Sequence, residues 1–340
     1  MKKIIALIAA LITAFIFFGC SNTVEVKFLD MGYVIADNPD NYERCVYSAE
    51  IHNGKAGADK VSYTDGAVSQ MILEFEKTEG GLARVIMTST IKYTETPPYV
   101  GAVLTHTGEN WRNLSAEAQK TAYGGLTDTI TSEVVFNGYS QDFNPVSVKK
   151  SAVLETSKKF DEKDKSFTAE FDYLAQKKSG AGKYADSAGA ETEFSVKSKN
   201  LKNVFDNEQL YYMVSAFMRG TLNKDTNKPA LGYSKQYKVF NLADRCINGK
   251  GASSWSFAVK DTPRADYCNI KADIAEVTVS FSQGQPLNMY YSLTEKLTIG
   301  DAPKTARELL MLGYEQKINR DVSTTLSVST YILKEYSIGR

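Results

Sequence analysis

Few residues in this chain are placed to do chemistry. There are two histidines, His52 and His106, and four cysteines, Cys20, Cys45, Cys246 and Cys268. His52 opens the turn-like run His52-Asn53-Gly54-Lys55, and His106 lies between Thr105 and Thr107. A serine hydrolase needs an imidazole beside an activated serine, commonly on a G-x-S-x-G elbow, and the chain has none. H-E-x-x-H and C-x-x-C spacings are also missing, as is a Walker loop, and Gly249-Lys250-Gly251 has no phosphate-cradle pattern. No metal and no cofactor are therefore expected. Paired carboxylates remain. Strand alternation puts Glu74 with Glu76, and Asp128 with Ser132, on shared faces. Such a pair could flank a glycosidic bond, but alternating acidic residues are the ordinary solvated face of a strand. The reading is a non-enzyme, with glycan hydrolysis as the third-ranked alternative.

The remaining reactive residue is Cys20, and its setting is specific. Lys2 and Lys3 precede Ile4 to Phe18, which is apolar throughout except for Thr13. Gly19 and Cys20 follow, then polar Ser21, Asn22 and Thr23. A charged start, an apolar centre and a small-residue exit are the features of a secretory signal. The apolar run falls short of the ~20 residues of a spanning helix. Phe17-Phe18-Gly19-Cys20 resembles the lipobox of a bacterial lipoprotein signal. That resemblance implies lipidation of the Cys20 thiol, palmitate among the acyl chains, and cleavage before Cys20. Residues 1–19 are then a signal peptide and 20–24 a lipidated tether. The body would sit outside the cytoplasm, on the periplasmic or the outer surface, held to the membrane by lipid. Two or three chains suffice, since each buried CH₂ contributes about 0.8 kcal/mol.

The body is electrically balanced, with 40 basic and 40 acidic residues. It offers no basic face for nucleic acid. Outside the cytosol a disulfide is permitted. Cys246 and Cys268, close in sequence and expected on neighbouring strands, are the candidate pair. Their loop would contribute on the order of 3 kcal/mol. Cys45 would then be a buried strand residue, and its pairing with Cys246 or Cys268 is the competing arrangement.

Most of the body alternates with period two. Met71, Leu73 and Phe75 share a face, Glu79-Gly80-Gly81 offers a turn, and Ala83, Val85, Met87, Ile91 and Tyr93 answer on the return arm. This is a long antiparallel hairpin with one face buried. Leu126, Ile130, Val134 and Phe136 form a further strand, and Phe167, Ala169, Phe171 and Tyr173 another. Ser115 caps a short helix that Gly124 stops. Asp206 to Arg219 is a second helix, with Gln209 placed for a capping box. Residues 177–192, rich in Gly, Ala, Ser and Lys, predict a flexible loop or linker. It separates an N-terminal β region, 25–176, from a C-terminal β region with one helix, 193–340; the two could equally form one continuous domain. With roughly fourteen strands against two or three short helices, the fold class is all-β. The expected architecture is large antiparallel sheets forming a curved or half-open barrel.

Two patches resemble a family of bacterial envelope proteins known as a domain of unknown function. The first is Asn144-Pro145-Val146, then a charged strand, then Phe171-Asp172-Tyr173. The second runs from Asp206 to Arg219 with Leu210-Tyr211-Tyr212. It continues through Lys235 to Val239, Val277 to Phe281, Gly284, Pro286-Leu287 and Tyr290-Tyr291. The resemblance implies a two-part β barrel, in outline like the carriers that shuttle lipoproteins across the periplasm. It implies no catalytic residues. Aromatics supply the last lead, 20 Tyr and 16 Phe against 2 Trp. They can pack a core, or line an apolar pocket between sheet and covering helix. The candidate pocket residues are Leu210, Tyr211, Met213, Val214 and Phe217. The leading functional expectation is non-catalytic binding of a lipid or other hydrophobic ligand, or of an envelope component. The alternative is a structural adaptor that joins envelope proteins through open sheet edges.

Overall fold

A computed structural model describes residues 42–55, 62–63, 66–78, 81–97, 106–137, 143–174, 179–197, 204–220, 234–248, 251–261, 274–281, 287–292, 297–299, 302–304, 309–320 and 323–338. Cys20, the signal and the tether lie outside them, as does Cys268.

The first half of the chain is an antiparallel meander. It contains β1 (Tyr42–Lys55), the short β2 (Ser62–Tyr63), β3 (Ala67–Lys77), β4 (Leu82–Tyr93), β5 (Thr127–Asn137), β6 (Pro145–Leu154), β7 (Phe167–Leu174), β8 (Ser179–Asp186) and β9 (Glu191–Lys197). Three short helices interrupt it: α1 (Glu109–Arg112), α2 (Ala116–Thr121) and α3 (Glu155–Phe160). The second half begins with β10 (Val204–Asp206), α4 (Gln209–Gly220), β11 (Ser234–Phe240) and α5 (Leu242–Asn248). It continues through β12 (Ala252–Asp261), β13 (Ile274–Phe281), β14 (Leu287–Ser292), β15 (Leu297–Ile299), β16 (Ala302–Lys304), β17 (Leu309–Arg320) and β18 (Ser323–Ile338).

Sixteen strands form one sheet. Its order is β10-β11-β12-β13-β14-β17-β18-β1-β3-β4-β5-β6-β7-β8-β9, with β2 beside β1. Every pairing in it is antiparallel except β10 with β11. The two meanders join where β1 pairs with β18. The protein is thus all-β in class, and strands on both sides of residues 177–192 belong to one sheet.

Alternation determines which face is buried. Met71, Leu73 and Phe75 on β3, Ala83 and Val85 on β4, and Val134 and Phe136 on β5 all point into one apolar cluster. The β3–β4 turn uses Gly81 at φ 84°, a left-handed conformation that glycine adopts without steric cost. Leu210, Tyr212, Met213 and Val214 of α4 enter the same cluster. Tyr212 packs against Phe75, Phe136 and Phe143, with ring centroids 5.9, 4.8 and 6.1 Å away. The helix therefore lies against the inner face of the sheet.

The sheet curls. β10 stands at one end of the strand order, yet Asp206 on it meets Lys150 on β6 and Tyr173 on β7. Its ends, β9 and β10, do not pair with each other, so the curl is a half-open barrel.

Several local expectations are corrected. Within the stretch expected as a flexible linker, residues 179–186 form β8 and the chain turns back into β9 from Glu191. The Phe171 ring lies over Gly180 and Gly182, where any Cβ would collide with it. The low side-chain content is what lets that ring fit. His52 lies within β1, opposite Val328, and not in a turn. Cys246 sits on α5 rather than on a strand.

Candidate functional site

The interior of the curl holds a buried cluster of ionisable groups. Lys150 shares the inner face of β6 with Val148 and Ala152 and is 5% exposed. Its Nζ lies 2.5 Å from Glu208 Oε2 and 4.0 Å from Asp206 Oδ1. The Glu208 contact is an ion pair by distance but lacks hydrogen-bond alignment at Nζ and Oε2. Tyr173 donates its hydroxyl proton to Asp206 Oδ2 at 2.9 Å. The capping box forms at the entry to α4. Glu208 N donates to Asp206 Oδ1 at 3.2 Å, and Asp206 N donates to Gln209 Oε1 at 3.3 Å. Gln209 in turn donates to the Phe143 carbonyl at 2.6 Å.

One lysine cannot balance two carboxylates in a dry interior. Burial, with the neighbouring Glu208 charge, outweighs the pull of Lys150 and raises Asp206 to about 8. Burial also opposes ionisation of Glu208, but Lys150 and the bonds it accepts hold Glu208 below the usual carboxylate range. Burial would lower Lys150; the charges of Glu208 and Asp206 hold it raised instead. Burial and the Asp206 carboxylate push Tyr173 well above an ordinary phenol. At neutral pH the cluster is a neutral Asp206 beside a Lys150–Glu208 pair. It positions elements: β6 and β7 from one meander are tied to β10 and α4 from the other.

A second polar network holds the small helices. His106 Nδ1 lies 3.0 Å from Asp161 Oδ1, and His106 Nε2 contacts the Tyr123 hydroxyl. Ser157 and Lys165 contact Asp161 Oδ2, both at 2.9 Å. Burial pushes Asp161 up, but Lys165, His106 and Ser157 outweigh it and hold the carboxyl low. Trp111, Tyr123 and Phe160 surround the imidazole at centroid distances of 4.8, 5.5 and 5.4 Å. Ser157 bonds the aspartate and not the histidine, so this is not the order of a hydrolase triad. It is a structural histidine.

The carboxylates considered for hydrolysis are engaged elsewhere. Glu74 accepts from the Tyr42 hydroxyl, and Glu76 pairs with Arg84. Asp128 accepts from Thr156 Oγ1 at 2.6 Å and from Thr156 N at 3.1 Å, at the start of α3. On the outer face, charges alternate from strand to strand. Arg84 Nη1 lies 3.3 Å from Glu133, which stands opposite Lys149. Lys149 faces Glu170, Glu170 binds Lys183 at 3.2 Å, and Lys183 faces Glu193.

Of the expected pocket residues, Leu210, Tyr211, Met213 and Val214 are all buried, between 0 and 7% exposed. The Phe217 side chain lies outside the description. Two cavities, of about 340 and 570 Å³, lie along β5–β9, and neither is lined by a residue of α4. The apolar surface that stays accessible lies further along the inner face. On β5 exposure runs from Phe136 and Val134 at 0%, through Ser132 at 1%, to Ile130 at 44%. Beside Ile130, the inward positions Met87, Ser89 and Ile91 of β4 are partly exposed. Beyond them the burial resumes at Tyr93 and Tyr123. Cys246 is a partly buried free thiol, and its expected partner Cys268 is outside the described residues. Among the described residues no group of His, Cys, Asp and Glu is placed to hold a metal ion.

No protein-family model matches the chain, and no curated protein matches it. Among solved structures it is similar to a beta-barrel-like protein of the domain of unknown function DUF1849 from Brucella abortus. That likeness has 8% identity over 88% of this chain and 98% of the other, with a TM-score of 0.45. A structure of MucB in complex with periplasmic MucA aligns at 7% identity over 92% of this chain and 98% of the other, with a TM-score of 0.12. The MucA/MucB complex of Pseudomonas aeruginosa aligns at 7% identity over 92% and 97%, also at 0.12. The architecture rests on the strand pairing itself.

Proposed function

We propose that the chain is an extracytoplasmic lipoprotein, anchored through Cys20, whose curved sheet binds a hydrophobic ligand on its concave face. One observation carries the binding reading: inward-pointing Ile130 is 44% exposed, although Val134 and Phe136 on the same face are 0% exposed. With Met87, Ser89 and Ile91 it makes a short apolar stretch bounded by two packed cores. A concave apolar strip with a hydroxyl suits a lipid or acyl chain. The cluster containing Leu210, Met213 and Val214, against which Met87 packs, walls one end.

The test uses the mature chain with Cys20→Ser. Native mass spectrometry of protein from its own envelope should show discrete added masses that extract into organic solvent. A fluorescent fatty acid should bind, and Ile130→Asp should weaken it about tenfold without lowering the melting temperature. No extractable mass, or probe binding indifferent to Ile130→Asp, overturns the reading. Palmitate labelling that persists in Cys20→Ser overturns the anchor. The adaptor alternative is favoured by a different feature, the edge of β9, with which no described strand but β8 pairs.

A further inference from the structure

The sheet has two ends, and they differ. β10 is three residues long, pairs in parallel with β11, and is covered: Val204, Phe205 and Asp206 are 4, 7 and 0% exposed. β9 is seven residues long and pairs with β8 through the whole of its length, without a bulge. No described strand pairs with its far side. A long, regular edge that no described strand covers is a template for another strand, and proteins normally blunt such an edge with proline, a bulge or an inward charge. β9, Glu191-Thr192-Glu193-Phe194-Ser195-Val196-Lys197, has no proline. Its inward set is Thr192, Phe194 and Val196, with no charge among them.

We infer that β9 is a dimerisation edge and that its partner is β9 of a second copy of this chain. The sequence is self-complementary about Phe194. In an antiparallel pairing centred there, Glu191 stands opposite Lys197 of the second copy, and Glu193 opposite Ser195. Thr192 stands opposite Val196, and the two Phe194 residues face each other. Two-fold symmetry repeats each match, so two opposite-charge pairs form and no like charges oppose. Shifting the centre to Glu193 would set two carboxylates face to face, which disfavours that register. Phe194 already stacks on Phe171 at 5.8 Å within one chain, so the pairing extends an aromatic row across the dyad. The two sheets become one.

Sedimentation velocity of the Cys20→Ser chain over a wide concentration range is the test. A reversible dimer is expected. Glu191→Lys and Lys197→Glu should each weaken it about tenfold, and the double swap should restore it. Glu191 also contributes to the field at Lys183, so recovery in the double swap is the decisive readout, with thermal melting confirming that each variant folds. A monomer at every concentration overturns the inference. So does a dimer that ignores the single swaps, or single defects that the double swap does not repair.

Discussion

Lys150 Nζ stands 4.0 Å from Asp206 Oδ1, although their strands, β6 and β10, share no pairing. The contact joins the two meanders inside the curl where hydrogen-bonded strands do not. Removing one partner of a buried ionic cluster leaves an uncompensated charge, which typically costs ~3–5 kcal/mol. Lys150→Met should lose about that much stability in urea unfolding. The triple variant Lys150→Met, Asp206→Asn, Glu208→Gln should lose clearly less. Equal losses would mean the lysine acts through packing alone.

The same cluster gives a pH dependence of defined sign. Asp206 holds its proton to about 8 when folded, against an ordinary value of 3.8. Between those values the unfolded chain gives up the proton first, so stability should fall as pH rises from about 4 to about 8, then level off. Glu208 is shifted the other way. Its contribution is present above its ordinary 4.5 and is lost as pH falls through its lowered folded value. Urea unfolding at pH 5 and pH 8 should show a decline in the parent chain that is smaller in Asp206→Asn. An identical slope in both would place the titration elsewhere.

The thiol of Cys246 should react slowly. Burial, only partly offset by Lys150 and Arg245, pushes it up to about 11. With the other three cysteines replaced, alkylation by iodoacetamide should be sluggish at pH 8 and still be accelerating at pH 10, because the thiolate is the nucleophile. When Cys268 is restored, complete loss of the alkylated product would reveal the disulfide suggested by sequence.

His106→Ala should cost about 2–4 kcal/mol, since it strips partners from two buried groups and removes an aromatic neighbour. The Tyr123 hydroxyl belongs to a side chain that is 0% exposed. Hydrogen exchange should quicken in α1, α2 and α3 before it does in β12–β14. Uniform quickening would contradict a local role.

Gly182→Ala should destabilise by about 1–3 kcal/mol. Its Cβ would overlap the Glu170 carbonyl and press on the Phe171 and Phe194 rings at 2.9 Å. Thermal melting of the alanine variant checks it; an unchanged midpoint would show that β8 can move.

Period-two alternation made the long hairpins and the all-β class legible, because one buried face per strand writes itself into the sequence. The capping residues of α2 and α4 were legible for the same local reason. β8 was not. Gly180 and Gly182 are needed by a neighbour, Phe171, and a requirement set by another strand looks like low complexity when read locally. Lys150 was hidden differently. It falls on the buried face of β6 by simple alternation with Val148 and Ala152, but its partners come from β10 and the turn that leads into α4, far along the chain. His106 gave no motif, since Tyr123 and Asp161 reach it through packing rather than spacing.

The join between β1 and β18 bears on how the molecule would carry load. Residue 42 enters the sheet through β1, which is gripped on one side by β18 and on the other by β3. A pull from an N-terminal tether would load those two seams in shear, many hydrogen bonds at once, rather than peel an edge strand bond by bond. Both edges stand well away along the strand order. Were the chain held by its N-terminal end, β9 and β10, the ends of the described strand order, would not be the first parts to give.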